Sequence, residues 1–137
     1  MQVILTWDGD LRFRARGKAG IEIPVDGDTR AGFSPMETLL AALAGCMGSD
    51  ILDILKKGRQ EVTGCTLRAS GTRRDDPPRR FTAIALAFEL EGRELSRAKV
   101  ARAVDLSRTT YCSVWNSLAP DIAFDVTIEL TPFRAGR

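Results

Sequence analysis

The longest ordered pattern of apolar positions lies in SPMETLLAALAGCMGSDILDILKKG, residues 34 to 58. Met36, Leu39, Leu40, Leu43, Met47, Ile51, Ile54 and Leu55 recur at steps of three and four, the period of a helix with one wide apolar stripe. Ser34 as N-cap, Pro35 at the first helical position and Glu37 three residues after Ser34 specify its start. Lys56, Lys57 and a left-handed Gly58 specify its stop. Such a helix is roughly 34 Å long. No residue between Leu39 and Gly48 is polar, so its middle is expected to be buried on every side. Gly45 and Gly48 each cost about 1 kcal/mol inside a helix and predict another backbone crossing close by.

Period-two alternation elsewhere predicts strands. Gln2 to Trp7, Leu11 to Arg16 and Ile21 to Val25 form a three-stranded meander, turning at Asp8 and Gly9 and again at Gly17 to Gly20, with Arg12, Arg14 and Arg16 on one basic face and Pro24 marking an edge. A polar loop carrying Arg30 then leads into the helix. After it, a strand from Glu61 to about Thr72 turns Cys65, Leu67 and Ala69 inward. RRDDPPRR is a solvated hairpin tip, and Phe81 to Leu90 reads as a central strand covered on both faces. Ser96, stapled by Leu95 and Val100, starts a helix to about Arg108. A short helix follows Cys112 and ends near Pro120, with Cys112 on its first turn, where free backbone N–H groups would favour a thiolate. Ile122 to Leu130 is the last strand. The order β-β-β-α-β-β-α-α-β is an α+β pattern.

At 137 residues a single domain, 1–137, is expected. Six short strands and one modest helix are too little to cover so apolar a helix, which predicts a homodimer with the long helices packed together. The longest uncharged run, Thr38 to Ser49, is too short to cross a bilayer and the N-terminus lacks a signal pattern, so a cytoplasmic location with reduced thiols and no membrane partner is expected. Twenty basic residues nearly balanced by 18 acidic ones argue against a nucleic-acid partner.

The chain contains no histidine. That excludes Ser-His-Asp and Cys-His catalysis and histidine-based zinc enzymes, and the three cysteines fit no zinc-finger spacing. With no phosphate-binding or dinucleotide-binding loop, no cofactor or metal is expected. Thiols, carboxylates and arginines must carry any chemistry. A peroxide-reducing enzyme needs an attacking thiolate, a cation that activates it and often a second thiol. Cys46, deep in the long helix, needs a side chain such as an arginine for activation, and Cys112 suits the resolving role. Each also reads as a small core residue, as Cys65 does between strand neighbours. Glu37 is explained by capping alone, Trp115 by the core, and Asp50 and Asp53 by a water-facing side of the helix.

Ser34-Pro-Met-Glu-Thr-Leu-Leu-Ala-Ala-Leu-Ala-Gly-Cys46, with Tyr111-Cys112 and a short helix far downstream, resembles the OsmC-like family of osmotically inducible and organic hydroperoxide resistance proteins. The resemblance spans essentially the whole chain, and its most specific part is Pro35 with Cys46 eleven residues later. It implies antiparallel sheets packed on a long central helix in an intertwined homodimer, with active sites at the subunit interface. It further implies Cys46 as peroxidatic thiol, Cys112 as resolving thiol and reduction by a small dithiol such as a protein-bound lipoyl group. In the better-known peroxidase branches the acidic residue orienting the catalytic arginine follows the proline directly. Here Met36 stands there and Glu37 comes next, a turn of about 100°, as in a less characterised Pro-Met-Glu branch. Arg30 is the arginine expected beside Glu37, with Arg12, Arg14 and Arg16 as alternatives. The reading is a thiol peroxidase acting on organic hydroperoxides, its apolar lining from Leu39, Leu43, Met47 and Trp115 favouring bulky alkyl substrates. The alternative is a non-catalytic dimeric redox sensor or small apolar ligand-binding protein.

Overall fold

A computed structural model of the chain describes residues 1–136. It divides into two compact units, Met1–Ala41 and Ala42–Arg137, with the boundary inside the long helix α1, Pro35–Lys57.

The first unit holds β1 (Ile4–Trp7), β2 (Arg12–Arg16) and β3 (Glu22–Asp26), an antiparallel sheet in the order β1-β2-β3. Pro24 lies on an edge strand, as its missing N–H requires. The register places Leu5, Ala15 and Ile23 side by side, with Trp7, Phe13 and Val25 as the next row of the same face. Arg12, Arg14 and Arg16 share the other face with Glu22, and Arg12 pairs with Asp10 at 3.1 Å. The apolar face stays open: Leu5 is 52% exposed, Trp7 66% and Ile23 50%.

The start of α1 follows from its capping box. The Ser34 N–H donates to Glu37 Oε2 at 2.8 Å and the Glu37 N–H to Ser34 Oγ at 3.2 Å. At its C-terminus Gln60 N–H reaches the Leu55 carbonyl and Arg59 N–H the Lys56 carbonyl, the paired bonds of a Schellman ending. The left-handed residue there is Arg59, at φ 58°, and not Gly58. The helix therefore closes one residue later than the glycine suggested.

In the second unit β4 (Glu61–Arg73), β5 (Phe81–Arg93) and β6 (Ala123–Pro132) form a sheet in the order β4-β5-β6. The two hairpin strands have 13 residues each, longer than expected. Gly71 is required by close approach, because a Cβ there would stand 2.2 Å from the Phe81 ring. β4 and β5 are antiparallel, but β6 runs parallel to β5, a departure from the wholly antiparallel sheets expected. The connection explains it: α2 (Arg97–Leu106), a π turn (Ser107–Tyr111) and α3 (Ser113–Asn116) carry the chain back to the end of the sheet where β5 began.

The core lies on one face of this sheet. Ile84, Leu86, Phe88 and Leu90 of β5 are buried with Leu43, Met47, Ile51 and Leu55 of α1 and with Val100, Ala103 and Val104 of α2. Each large side chain so enclosed contributes about 1.5–3 kcal/mol. β5 is central but not covered on both faces, since Ala85 is exposed and Ala83 and Ala87 half-buried. Small apolar residues look like core in composition while lying on the open side.

By length and composition α1 would suffice to cross a membrane, yet its stripe of Leu43, Met47, Ile51 and Leu55 is at most 1% exposed within the protein. Its middle is not buried on every side: Ala41, Ala42, Gly45 and Ser49 are exposed. Among the described residues, the crossing backbone predicted by the glycines is not found. Gly48 faces the Leu67 side chain of β4, and nothing lies within 4 Å of a Cβ built on Gly45.

Candidate active site

Cys46 and Asp50 stand one turn apart on α1, so both side chains leave the same face of the helix. Cys112 arrives from the far end of the chain. The π turn sets its position: the Cys112 N–H closes on the Ser107 carbonyl at 2.8 Å, five residues back, stacking residue 112 above residue 107. Cys112 then serves as N-cap of α3, and its sulfur accepts from the Trp115 N–H at 3.3 Å. Asn116 Nδ2 clamps the Cys112 carbonyl at 2.8 Å.

These elements bring the two sulfurs and a carboxylate oxygen of Asp50 within 4.8 Å of one another. The Ser107 hydroxyl donates to Asp50 Oδ2 at 2.8 Å, fixing the carboxylate. Cys46 and Asp50 are half-buried, while Cys112 and Ser107 are fully buried. Burial pushes the Cys112 thiol up to about 11, with Cys46 and Asp50 adding to the rise and the Trp115 N–H opposing it. The helix start was expected to favour a thiolate at Cys112; desolvation outweighs one N–H donor. Two sulfurs this close can join at disulfide distance after small side-chain rotations, and the same trio is the one set of ligand atoms among the described residues that could share a metal ion.

Other residues singled out in the sequence take different places. Glu37 is exposed and its carboxylate accepts from the Ser34 N–H, so its visible role is the cap. Arg30 is exposed in the first unit, on a cavity it shares with Asp10, Arg12, Asp26 and Asp28, and forms no ion pair with Glu37 within 4 Å. The expected Arg30–Glu37 pairing is thus not formed: the loop before α1 is wound around Asp26 instead, which takes the backbone N–H groups of Asp28, Arg30 and Ala31. Leu43 and Met47 are wholly inside the core and unavailable as a substrate lining. Trp115 stacks on Phe124 at 4.1 Å. Cys65 is half-buried opposite Leu90, with its pKa raised by burial.

The family model for OsmC-like proteins matches residues 26–127. The chain belongs to the OsmC-like family. It is 44% identical to Protein YhfA of Escherichia coli over 115 residues, covering 83% of this chain and 86% of that one. A Psychrobacter arcticus structure described as a putative osmotic stress induced and detoxification response protein superposes with a TM-score of 0.82 at 27% identity, covering 94% of this chain and 96% of that chain. The fold is also that of the organic hydroperoxide resistance protein OhrB of Bacillus subtilis, with a TM-score of 0.60 at 17% identity and coverage of 96% and 98%.

Asp50 and Ser107 stand with the two thiols in this cluster, and sequence reasoning missed both. A signal for Asp50 existed, since Cys46 and Asp50 have the i, i+4 spacing that puts two side chains on one face. Asp53, read together with Asp50, behaves as expected and pairs with Lys57 at 2.6 Å in solvent. No local pattern could have linked Ser107 to α1.

Proposed function

We propose that the protein is a thiol-dependent peroxidase that reduces organic hydroperoxides. The observation that carries this reading is the approach of Cys46 and Cys112, distant in the chain, to within 4.8 Å. Cys46 as thiolate attacks the terminal peroxide oxygen, the O–O bond breaks, Cys46 becomes a sulfenic acid, and the leaving alkoxide departs as an alcohol by taking up the equivalent of the proton the thiol gave up. Cys112 then attacks that sulfur, its proton leaves with the hydroxyl as water, and a disulfide remains for an external dithiol to reduce. A lipoyl-type dithiol is the proposed reductant. Arg30 is proposed to stabilise the Cys46 thiolate, with Glu37 as cap or as orienting acid. Relatives that bear the name organic hydroperoxide resistance protein support the substrate class.

The working unit is proposed to be a cytoplasmic homodimer of single-domain chains. Two features support it: the exposed small residues Ala41, Ala42, Gly45 and Ser49 along α1, and the open apolar face of the β1-β2-β3 sheet. The family match at 26–127 runs across the division between the two compact units, which supports one domain.

Turnover of cumene hydroperoxide with a dithiol should exceed turnover of hydrogen peroxide. Cys46→Ser should lower it on the order of a thousandfold or more, and Cys112→Ser should leave a Cys46 sulfenic acid that dimedone traps. Equal rates with both peroxides, or full activity in Cys46→Ser, would sink the reading. The adjacent thiols of Cys46 and Cys112 would equally serve the second reading, a redox sensor. In that case peroxide oxidises Cys46 stoichiometrically and is not consumed catalytically.

A further inference from the structure

Asp50 has no task in the peroxide cycle. It is nonetheless held in place by the buried Ser107 hydroxyl, and no Lys or Arg lies within 4 Å of its carboxylate among the described residues. A carboxylate fixed beside two thiols, with no cation at hand, leaves a place for a positive partner.

The geometry meets that need. Three atoms at most 4.8 Å apart share a point about 2.8 Å from each, against about 2.3 Å for a zinc–sulfur bond and 2.0–2.2 Å for a zinc–carboxylate bond. Side-chain rotations of a few tenths of an ångström per ligand close the difference. Cys46 and Asp50 come from one face of α1 and Cys112 from the cap of α3, so two separate elements set the triangle. The outer shell is also built. Ser107 holds Oδ2 of Asp50, leaving Oδ1 as donor, and the Trp115 N–H supports negative charge on the Cys112 sulfur. Two thiolates select a soft ion over calcium or magnesium, and three protein ligands leave a fourth tetrahedral corner for water.

We propose that reduced Cys46, Cys112 and Asp50 form a binding site for a thiophilic divalent cation of the zinc type, and that the bound ion masks the two thiols from peroxide. Binding exchanges two thiol protons for one M²⁺ and transfers no electrons, so it requires no oxidant. It does not rest on the peroxidase reading.

The test is anaerobic titration of the reduced full-length protein with Cd²⁺, followed by its thiolate-to-metal charge-transfer absorption, and with Zn²⁺ in competition with a chromophoric chelator. One ion should bind per chain with release of about two protons. Cys65→Ser should bind as the unaltered protein does, whereas Cys46→Ser and Cys112→Ser should lose the charge-transfer band. Asp50→Asn should weaken binding at least roughly 10–100-fold, and Ser107→Ala, which retains all three ligands, about tenfold. Circular dichroism checks the fold of each variant, and Zn²⁺ should slow oxidation of Cys46 by peroxide. Absence of the band, its persistence in Cys112→Ser, or unchanged affinity in both Asp50→Asn and Ser107→Ala would overturn the proposal. Peroxide turnover is measured separately on chelator-treated protein. Disulfide formation without metal binding defeats only this inference, and metal binding without turnover defeats only the peroxidase reading.

Discussion

Asp26 is 3% exposed, and the loop before α1 is wound around its carboxylate. Its oxygens accept from the N–H groups of Asp28 at 2.9 Å, Arg30 at 3.1 Å and Ala31 at 2.9 Å. The bonds from Asp28 and Ala31 hold its pKa below the ordinary value of 3.8, and burial only partly opposes them. A depressed carboxyl stabilises the fold above its unfolded pKa, and this contribution is lost as pH falls through the folded one. Protection factors at the amides of Asp28, Arg30 and Ala31 should therefore be high at neutral pH and fall as pH drops through the folded pKa, which lies below 3.8. Asp26→Asn should expose them at neutral pH as well, because an amide cannot accept at both atoms. Protection that survives full protonation of the carboxyl, or stays intact in Asp26→Asn, would show that other contacts hold the loop. At this scale the chain was unevenly legible. Ser34 and Glu37 announced their reciprocal bonds through spacing alone, whereas Asp26 looked like any acidic turn residue and Asp50 like a solvent-facing one. Whether an acid is enclosed depends on what packs over it.

At the scale of elements, the termination of α1 is the most specific test. Arg59 is exposed and adopts φ 58°, a left-handed conformation that costs a residue with a Cβ about 1–2 kcal/mol. Arg59→Gly should raise stability by about 1 kcal/mol, seen in thermal melts as a gain of roughly 4 °C. A lower Tm would mean that the Arg59 side chain makes contacts outweighing its strain. Most elements could be read from the chain because their signals are local: period 3.6 in α1, period two in β6, the Ser96 cap of α2, whose Oγ accepts from Lys99 N–H. The π turn at Ser107–Tyr111 could not. An inserted residue in a helix gains its value from what it aligns, here Ser107 with Asp50 and Cys112 with Cys46.

For the whole molecule the open question is what covers the exposed apolar surface. Among the described residues nothing outside its own helical turn requires glycine at residue 45, where a Cβ would meet no such atom within 4 Å. If the chain worked alone, Gly45→Ala would stabilise α1 by about 1 kcal/mol. In the homodimer proposed above, with α1 helices in close contact, Gly45→Leu should instead dissociate the particle. Light scattering during size-exclusion chromatography at micromolar concentration decides this. A monomeric mass for the unaltered protein refutes the dimer.

Sequence alone determined the identity and order of the main helices and strands, the start caps of α1 and α2, and, through the spacing of Pro35 and Cys46, the family. These properties depend on neighbours a few residues away, whose geometry the backbone repeats. Tertiary structure decided that β6 runs parallel to β5, that Leu43 and Met47 belong to the core and not to a pocket, and that Asp50 and Ser107 stand with the two thiols. Such placements join residues far apart in the chain, and they follow from how whole elements pack, which no local pattern encodes.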